Sequence, residues 1–160
     1  MRVLVISDYL PYPLISGDRI RVYNLVRRMA EKHEVAFVAP VRTPEDQEAI
    51  AQLKGFCFRV ETAPLTRQHA LAHVPGLLRF GLRGRPLELK FLYSAGLFNK
   101  ITALASALPF DVVQVEHTRM AFYLEAVPRA LQTKSMLVFH SVAYHQFARI
   151  QRVTHRPRPV

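Results

Sequence analysis

Residues 1–40 decide the fold, and they read MRVLVISDYLPYPLISGDRIRVYNLVRRMAEKHEVAFVAP. The apolar run Arg2–Ser7 has the composition of a strand that is buried on both faces of a parallel sheet. Two prolines and a glycine predict a loop over Tyr9–Gly17. From Asp18 onward, apolar residues recur at helical spacing, which predicts an amphipathic helix. Val35–Ala39 follows as a second buried strand, so this stretch predicts a right-handed βαβ unit.

Strands and helices continue to alternate along the chain. The apolar runs predict three further strands, Phe56–Glu61, Phe110–Glu116 and Ser135–His140. The first of the remaining predicted helices is Pro44–Lys54, with Thr43 as its cap, and the next is capped by Ser94 and continues to Leu108. A short helix is predicted over Thr118–Ala126, and a last helix runs from Ser141 until Pro157 ends it. Glycines and prolines divide residues 62–93 into short pieces, with helices expected near Arg67–His73 and Gly76–Leu82. The alternation predicts one α/β domain over residues 1–160, with a doubly wound parallel sheet whose ligands bind at the carboxyl ends of the strands.

Composition limits the class of protein. The chain has 160 residues, half of them hydrophobic, which is enough for one substantial core. No apolar run has the length of a membrane span, and the opening MRVLVISD is unlike a secretory signal, so we expect a cytoplasmic protein. The single cysteine, Cys57, excludes an internal disulfide and any multi-cysteine metal site, and we expect it to be a small core residue.

The formal charge of +10 predicts an anionic partner or surface, such as nucleic acid, anionic lipid or a phosphorylated substrate. Residues 79–90 (RFGLRGRPLELK) mix leucines and a phenylalanine with Arg79, Arg83 and Arg85, which would suit the anionic inner face of a membrane. A solvated helix end explains the same residues equally well. The basic tail over residues 149–160 has few apolar anchors, and we expect it to be frayed. No recognised module supports specific binding to nucleic acid.

Several polar residues follow predicted strands at the same edge of the sheet. Glu116 and His117 end the fourth strand, while His140 and Ser141 end the fifth. The loop of the first βαβ unit reaches this edge, where Gly17 leads into a helix whose free amide groups favour a phosphate or an ionising oxygen. There is no G-x-G-x-x-G, G-x-x-x-x-G-K or G-x-S-x-G motif, so neither a dinucleotide fingerprint, a P-loop nor a hydrolase nucleophile elbow is predicted.

A metal site has no support either. His69 and His73 are four residues apart, but no glutamate follows the first histidine and no third ligand is evident. We therefore predict no metal and no bound cofactor.

Three stretches nevertheless resemble one family. They are residues 1–40, residues 111–124 (DVVQVEHTRMAFYL) and residues 137–150 (LVFHSVAYHQFARI). They resemble the N-terminal, acceptor-side domain of GT-B retaining glycosyltransferases of the "glycosyl transferases group 1" class. Residues 85–101 (RPLELKFLYSAGLFNKI) also fit the members that act in exopolysaccharide and cell-envelope pathways.

The resemblance implies transfer of a sugar from a nucleotide-diphosphate sugar to a glycan or a lipid-linked acceptor. It implies catalytic positions at His117 and Glu116. The positions that it implies for binding the donor or the acceptor are Ser16, Gly17, Asp18, Arg19, Arg21, His140 and Ser141.

The sequence also departs from the family. Asp18 stands where a second glycine is common, and Ser141 and Ala143 replace an asparagine and a glutamate. The E-x7-E motif of the donor domain is missing. We therefore expect an incomplete sheet, no donor domain and little activity of the chain alone, with self-association or a partner that supplies the donor half. The alternative is a non-catalytic module that binds a glycan or an anionic membrane.

Overall fold

The computed structural model describes residues 1–65, 82 and 91–139. Its strands are β1 (Arg2–Ile6), β2 (Glu34–Val41), β3 (Arg59–Pro64), β4 (Val112–Glu116) and β5 (Ser135–Val138). Its helices are α1 (Gly17–Ala30), α2 (Asp46–Lys54), α3 (Ala95–Ala107), a 3₁₀ helix (Thr118–Ala126) and the single turn α4 (Arg129–Gln132). Three predicted helices lie outside the described residues. They are the helices expected near residues 67–73 and 76–82, of which only Leu82 is described, and the helix expected after Ser141.

The five strands form one parallel sheet in the order β3-β2-β1-β4-β5. This confirms the predicted Rossmann-like, doubly wound α/β fold. At the carboxyl edge, Ile6 of β1 pairs with Val38 of β2 on one side and with Val115 of β4 on the other. β1 is therefore the central strand, with β2 and β3 on one side and β4 and β5 on the other.

Helices cover the two faces of the sheet in separate groups. Leu4 and Ile6 of β1 pack with α3 and the 3₁₀ helix, whereas Val3 and Val5 pack with α1 and α2. The chain leaving β1 thus turns toward one face, and the chain leaving β4 turns toward the other. In open parallel sheets this divergence leaves a crevice at the carboxyl ends of the two strands, where ligands bind.

The third strand begins at Arg59, three residues later than predicted. The amide groups of Phe56 and Cys57 donate to the carbonyl of Leu53, which extends the last turn of α2. The predicted strand start at Phe56 was therefore wrong, because these apolar residues close a helix before the sheet resumes.

The second helix begins at Asp46, two residues later than predicted. The Asp46 carboxylate accepts hydrogen bonds from the amides of Arg42 and Thr43 at 2.7 and 3.0 Å, so it fixes a turn ahead of the helix. Thr43 lies in that turn and does not cap the helix.

The segment Thr118–Ala126 has the predicted bounds but is a 3₁₀ helix. Met120, Tyr123 and Ala126 are buried and recur every third residue, which matches the three residues per turn of this helix. By contrast, α3 follows Ser94 as predicted, and the Ser94 hydroxyl accepts a hydrogen bond from the amide of Leu97.

Candidate functional site

Asp8 lies at the centre of the carboxyl edge, two residues beyond the end of β1. Its side chain is fully buried. The carboxylate lies 3.5 Å from Nε2 of His117 and forms an ion pair with the guanidinium of Arg119. A buried carboxylate is costly unless cations or donors compensate it. The sheet order supplies both partners, because β4 is the immediate neighbour of β1.

His117 follows the last residue of β4 and has an unusual backbone conformation. Its φ of 70° and ψ of 130° lie in a region that residues with a Cβ rarely adopt. Two backbone hydrogen bonds fix this conformation. The His117 amide donates to the carbonyl of Val138, and the His117 carbonyl accepts from the amide of Met120. The imidazole also packs against the ring of Tyr9, with 5.2 Å between centroids. Backbone strain of this kind concentrates at functional sites.

Tyr9 lies between His117 and the start of α1, since its ring contacts both His117 and Arg19. Its burial, and then the nearby carboxylates of Asp18 and Asp8, raise the pKa of the Tyr9 hydroxyl. The Arg19 guanidinium lies 5.5 Å from the centroid of the Tyr9 ring and donates a hydrogen bond to the carbonyl of Tyr12. Arg19 is therefore held at the site by a cation–π contact and a backbone contact.

Ser16 immediately precedes α1, and Gly17 and Asp18 lie in its first turn. Ser16 occupies the cap position without a capping hydrogen bond from its side chain. Its hydroxyl instead donates to the Asp18 carboxylate, which lowers the pKa of Asp18. A Cβ on Gly17 would meet no atom within 4 Å, so open space adjoins this glycine. Arg21 is exposed on the same helix.

Glu116 differs from the other predicted site residues that the structure describes, because it is fully buried. Its carboxylate accepts a hydrogen bond of 2.5 Å from Nε2 of Gln114, which is also buried. Both side chains alternate along β4 with Val113 and Val115, which pack in the core beside α3. The Glu116 carboxylate therefore lies on the opposite face of β4, where its charge contributes to the raised pKa of Tyr9.

A groove of about 440 Å³ runs along the 3₁₀ helix next to this cluster. Its volume is within the range of small-molecule sites. Arg119 lines the groove and also pairs with Asp8, so the two features share one side chain. The other lining residues are Thr118, Ala121, Phe122, Leu124, Glu125 and Gln132.

The structure thus brings His117, Asp18, Arg19, Ser16 and Gly17 to one end of the sheet. His140, Ser141, Arg79, Arg83 and Arg85 lie outside the described residues. Sequence reasoning did not assign roles to Asp8, Tyr9 or Arg119. A signal for Asp8 was available, since it is a carboxylate immediately beyond a buried strand on the predicted ligand edge.

The described part of the chain contains no group of three His, Cys, Asp or Glu side chains that could hold a metal ion. Among its helices, none is both long enough and apolar enough to cross a bilayer. No protein-family model matches the chain, and no curated protein or solved structure shows significant similarity to it.

Proposed function

We propose that this chain is the acceptor-binding part of a glycosyltransferase that moves a sugar from a nucleotide-diphosphate sugar to a glycan or lipid-linked acceptor. The observation that carries the proposal is the buried Asp8 carboxylate, which holds His117 and Arg119 at the crevice between β1 and β4. The sequence resemblance of residues 1–40 and 111–124 supports the same assignment.

In this proposal, an acceptor hydroxyl binds at His117 and the rest of the acceptor extends along the groove. The Asp8 charge lies 3.5 Å from Nε2 of the imidazole and attracts it without a hydrogen bond between the two groups, so Asp8 acts as a positioning residue. Arg119 is half exposed beside its ion pair with Asp8, which leaves part of its guanidinium within reach of a ligand. Such planar donors recognise hydroxyl, carboxylate and phosphate oxygens.

The acceptor role has better support than a donor role. Free amides at the start of α1 and the open space at Gly17 would favour a phosphate. However, the Asp18 carboxylate carries a negative charge in the same turn, and this charge opposes phosphate binding. The nucleotide sugar would then be held mainly by another domain or chain, and transfer requires a closed cleft that orients both substrates and excludes water.

A second candidate function is a glycan-binding module without catalysis. The burial of Glu116 favours it, because one of the two expected catalytic groups is enclosed in the fold and bonded to Gln114. The groove along the 3₁₀ helix would serve such a module equally well.

The two functions differ in turnover. The purified chain would be incubated with uridine-, guanosine- and thymidine-diphosphate sugars, with and without short oligosaccharides, and release of nucleoside diphosphate would be measured. Binding of oligosaccharides would be followed in parallel by saturation-transfer NMR. Acceptor-dependent release that is lost in His117→Ala supports the enzyme, whereas binding without release supports the module. Absence of oligosaccharide binding contradicts both.

A further inference from the structure

One side of α1, together with the loop before it, forms a surface that the candidate site does not use. We propose that this surface, made of Leu14, Ile15, Ile20, Arg27 and Arg28 and called here the α1 surface, binds an anionic lipid bilayer. The inference does not depend on the proposed sugar transfer.

The α1 surface contains three exposed apolar side chains. Ile15 is 77% exposed, Ile20 is 43% exposed and Leu14 is 40% exposed. These three residues lie within seven positions of one another, in the loop and the first turn of α1. Grouped apolar side chains on a protein surface are typical of interfaces with proteins or membranes.

Helical geometry places the basic residues on the same side. Ile20, Asn24, Arg27 and Arg28 are exposed and share one side of α1 at intervals of three to four residues, and Glu31 at the end of the helix is the one exposed acidic residue that follows on this side. Val22 and Val26 on the opposite side are fully buried against the sheet. The core therefore fixes α1 so that its apolar and basic residues face outward together.

The charges favour a bilayer over a second copy of this chain. Neither Arg27 nor Arg28 forms an ion pair with a described residue. Their position in the last turn also suits the helix dipole, but that role does not explain exposed isoleucines at the other end of the helix. Two copies that met through the α1 surface would bring the arginines of both chains together, whereas an anionic membrane attracts the arginines and accepts the apolar side chains.

The test is co-sedimentation of the full chain with vesicles of phosphatidylcholine alone or mixed with phosphatidylglycerol. We expect binding to the mixed vesicles that weakens as salt is added. Arg27→Gln combined with Arg28→Gln should weaken this binding about tenfold or more, because each basic residue near an anionic surface contributes to it. Ile15→Ser should weaken it about fivefold, because it removes an exposed apolar side chain that the bilayer would bury.

Matched controls keep the test specific. Arg129→Gln combined with Lys134→Gln removes the same charge from exposed positions just before β5, away from α1, and Met136→Ser removes an exposed apolar side chain elsewhere. Both should bind mixed vesicles like the unmodified chain. Equal losses in the control variants would overturn the proposal. The proposal would also be overturned if the unmodified chain bound neither kind of vesicle. A chain that binds no vesicle but sediments as a dimer, and that Ile15→Ser converts to a monomer, would show that the α1 surface joins two copies instead.

Discussion

His117 lies 3.5 Å from the buried carboxylate of Asp8, although the two residues follow different strands. Their proximity results from the strand order, which places β4 directly beside β1. The pair occupies the point where the chain turns toward opposite faces of the sheet, the usual position of a ligand in this fold. A carboxylate that is buried there, rather than solvated, can hold an imidazole and a guanidinium in fixed positions for a substrate.

The backbone strain at His117 predicts an unusual order of stabilities. His117→Gly should be more stable than His117→Ala by about 1 kcal/mol, because only glycine adopts a φ of 70° without a steric cost. Both variants lose the imidazole and should lose oligosaccharide binding. Urea unfolding of the two variants measures the difference directly. An alanine variant as stable as the glycine variant would show that the conformation is not strained.

The helix cap of α3 provides a second prediction. Ser94→Ala should lower the free energy of unfolding by about 1 kcal/mol, because its hydroxyl accepts from the Leu97 amide and donates to the carbonyl of Pro64. Ser106→Ala is the matched control, since Ser106 is an exposed serine of the same helix. Its cost should be clearly smaller, because alanine is the better helix former. Equal losses at the two positions would contradict the capping role of Ser94.

Asp18 predicts a dependence of stability on pH. The hydrogen bond from Ser16 lowers the pKa of Asp18 below its ordinary value of 3.8, so the folded state favours the ionised form. Asp18 should therefore stabilise the fold at neutral pH, and this contribution should be lost as the pH falls below the ordinary value and through the lower native pKa. Unfolding free energies of the unmodified chain and Asp18→Asn, measured from about pH 7 to about pH 3, should converge on acidification. A difference that stays constant or widens at acidic pH would refute this.

Cys57 predicts a slow reaction with thiol reagents. It is the chain's only cysteine, and burial raises its pKa to about 12. At about pH 8 the folded protein therefore contains almost no thiolate at this position, and labelling should require opening of the fold. Labelling by a thiol-specific reagent should be slow in buffer and fast in urea. Rapid labelling without urea would contradict the packing of Cys57 beside Leu53 and Phe37 in one core.

Local sequence patterns predicted the parts of the fold that depend on local periodicity. The apolar runs of β1 and β2 and the capped, amphipathic α3 were placed within one to three residues of their observed ends. The start of β3 was misplaced because Phe56 and Cys57 are apolar in either setting, and only the hydrogen bonds to Leu53 distinguish a helix end from a strand.

The candidate site was predicted less completely, for a different reason. Strand ends identified His117 and the start of α1, since those positions follow from sequence alone. The roles of Asp8 and Arg119 depend on which strands are neighbours, and chain order would not place β4 against β1. The sequence does not reveal the burial of Glu116 either. That burial results from the side of β4 on which Glu116 lies, next to the buried side chain of Gln114.

The most direct test of the central claim compares oligosaccharide binding by the unmodified chain, Asp8→Asn and Asp111→Asn. Asp111 is an exposed carboxylate that accepts a hydrogen bond from the Arg2 amide, and it serves as the matched control. NMR titration with short neutral and uronic-acid-containing oligosaccharides gives the affinities, and thermal unfolding verifies that each variant is folded. We predict at least about tenfold weaker binding for Asp8→Asn, because His117 and Arg119 lose the charge that positions them, and unchanged binding for Asp111→Asn. Equal affinity in all three proteins, or no binding by the unmodified chain, would contradict a sugar-acceptor site at Asp8 and His117.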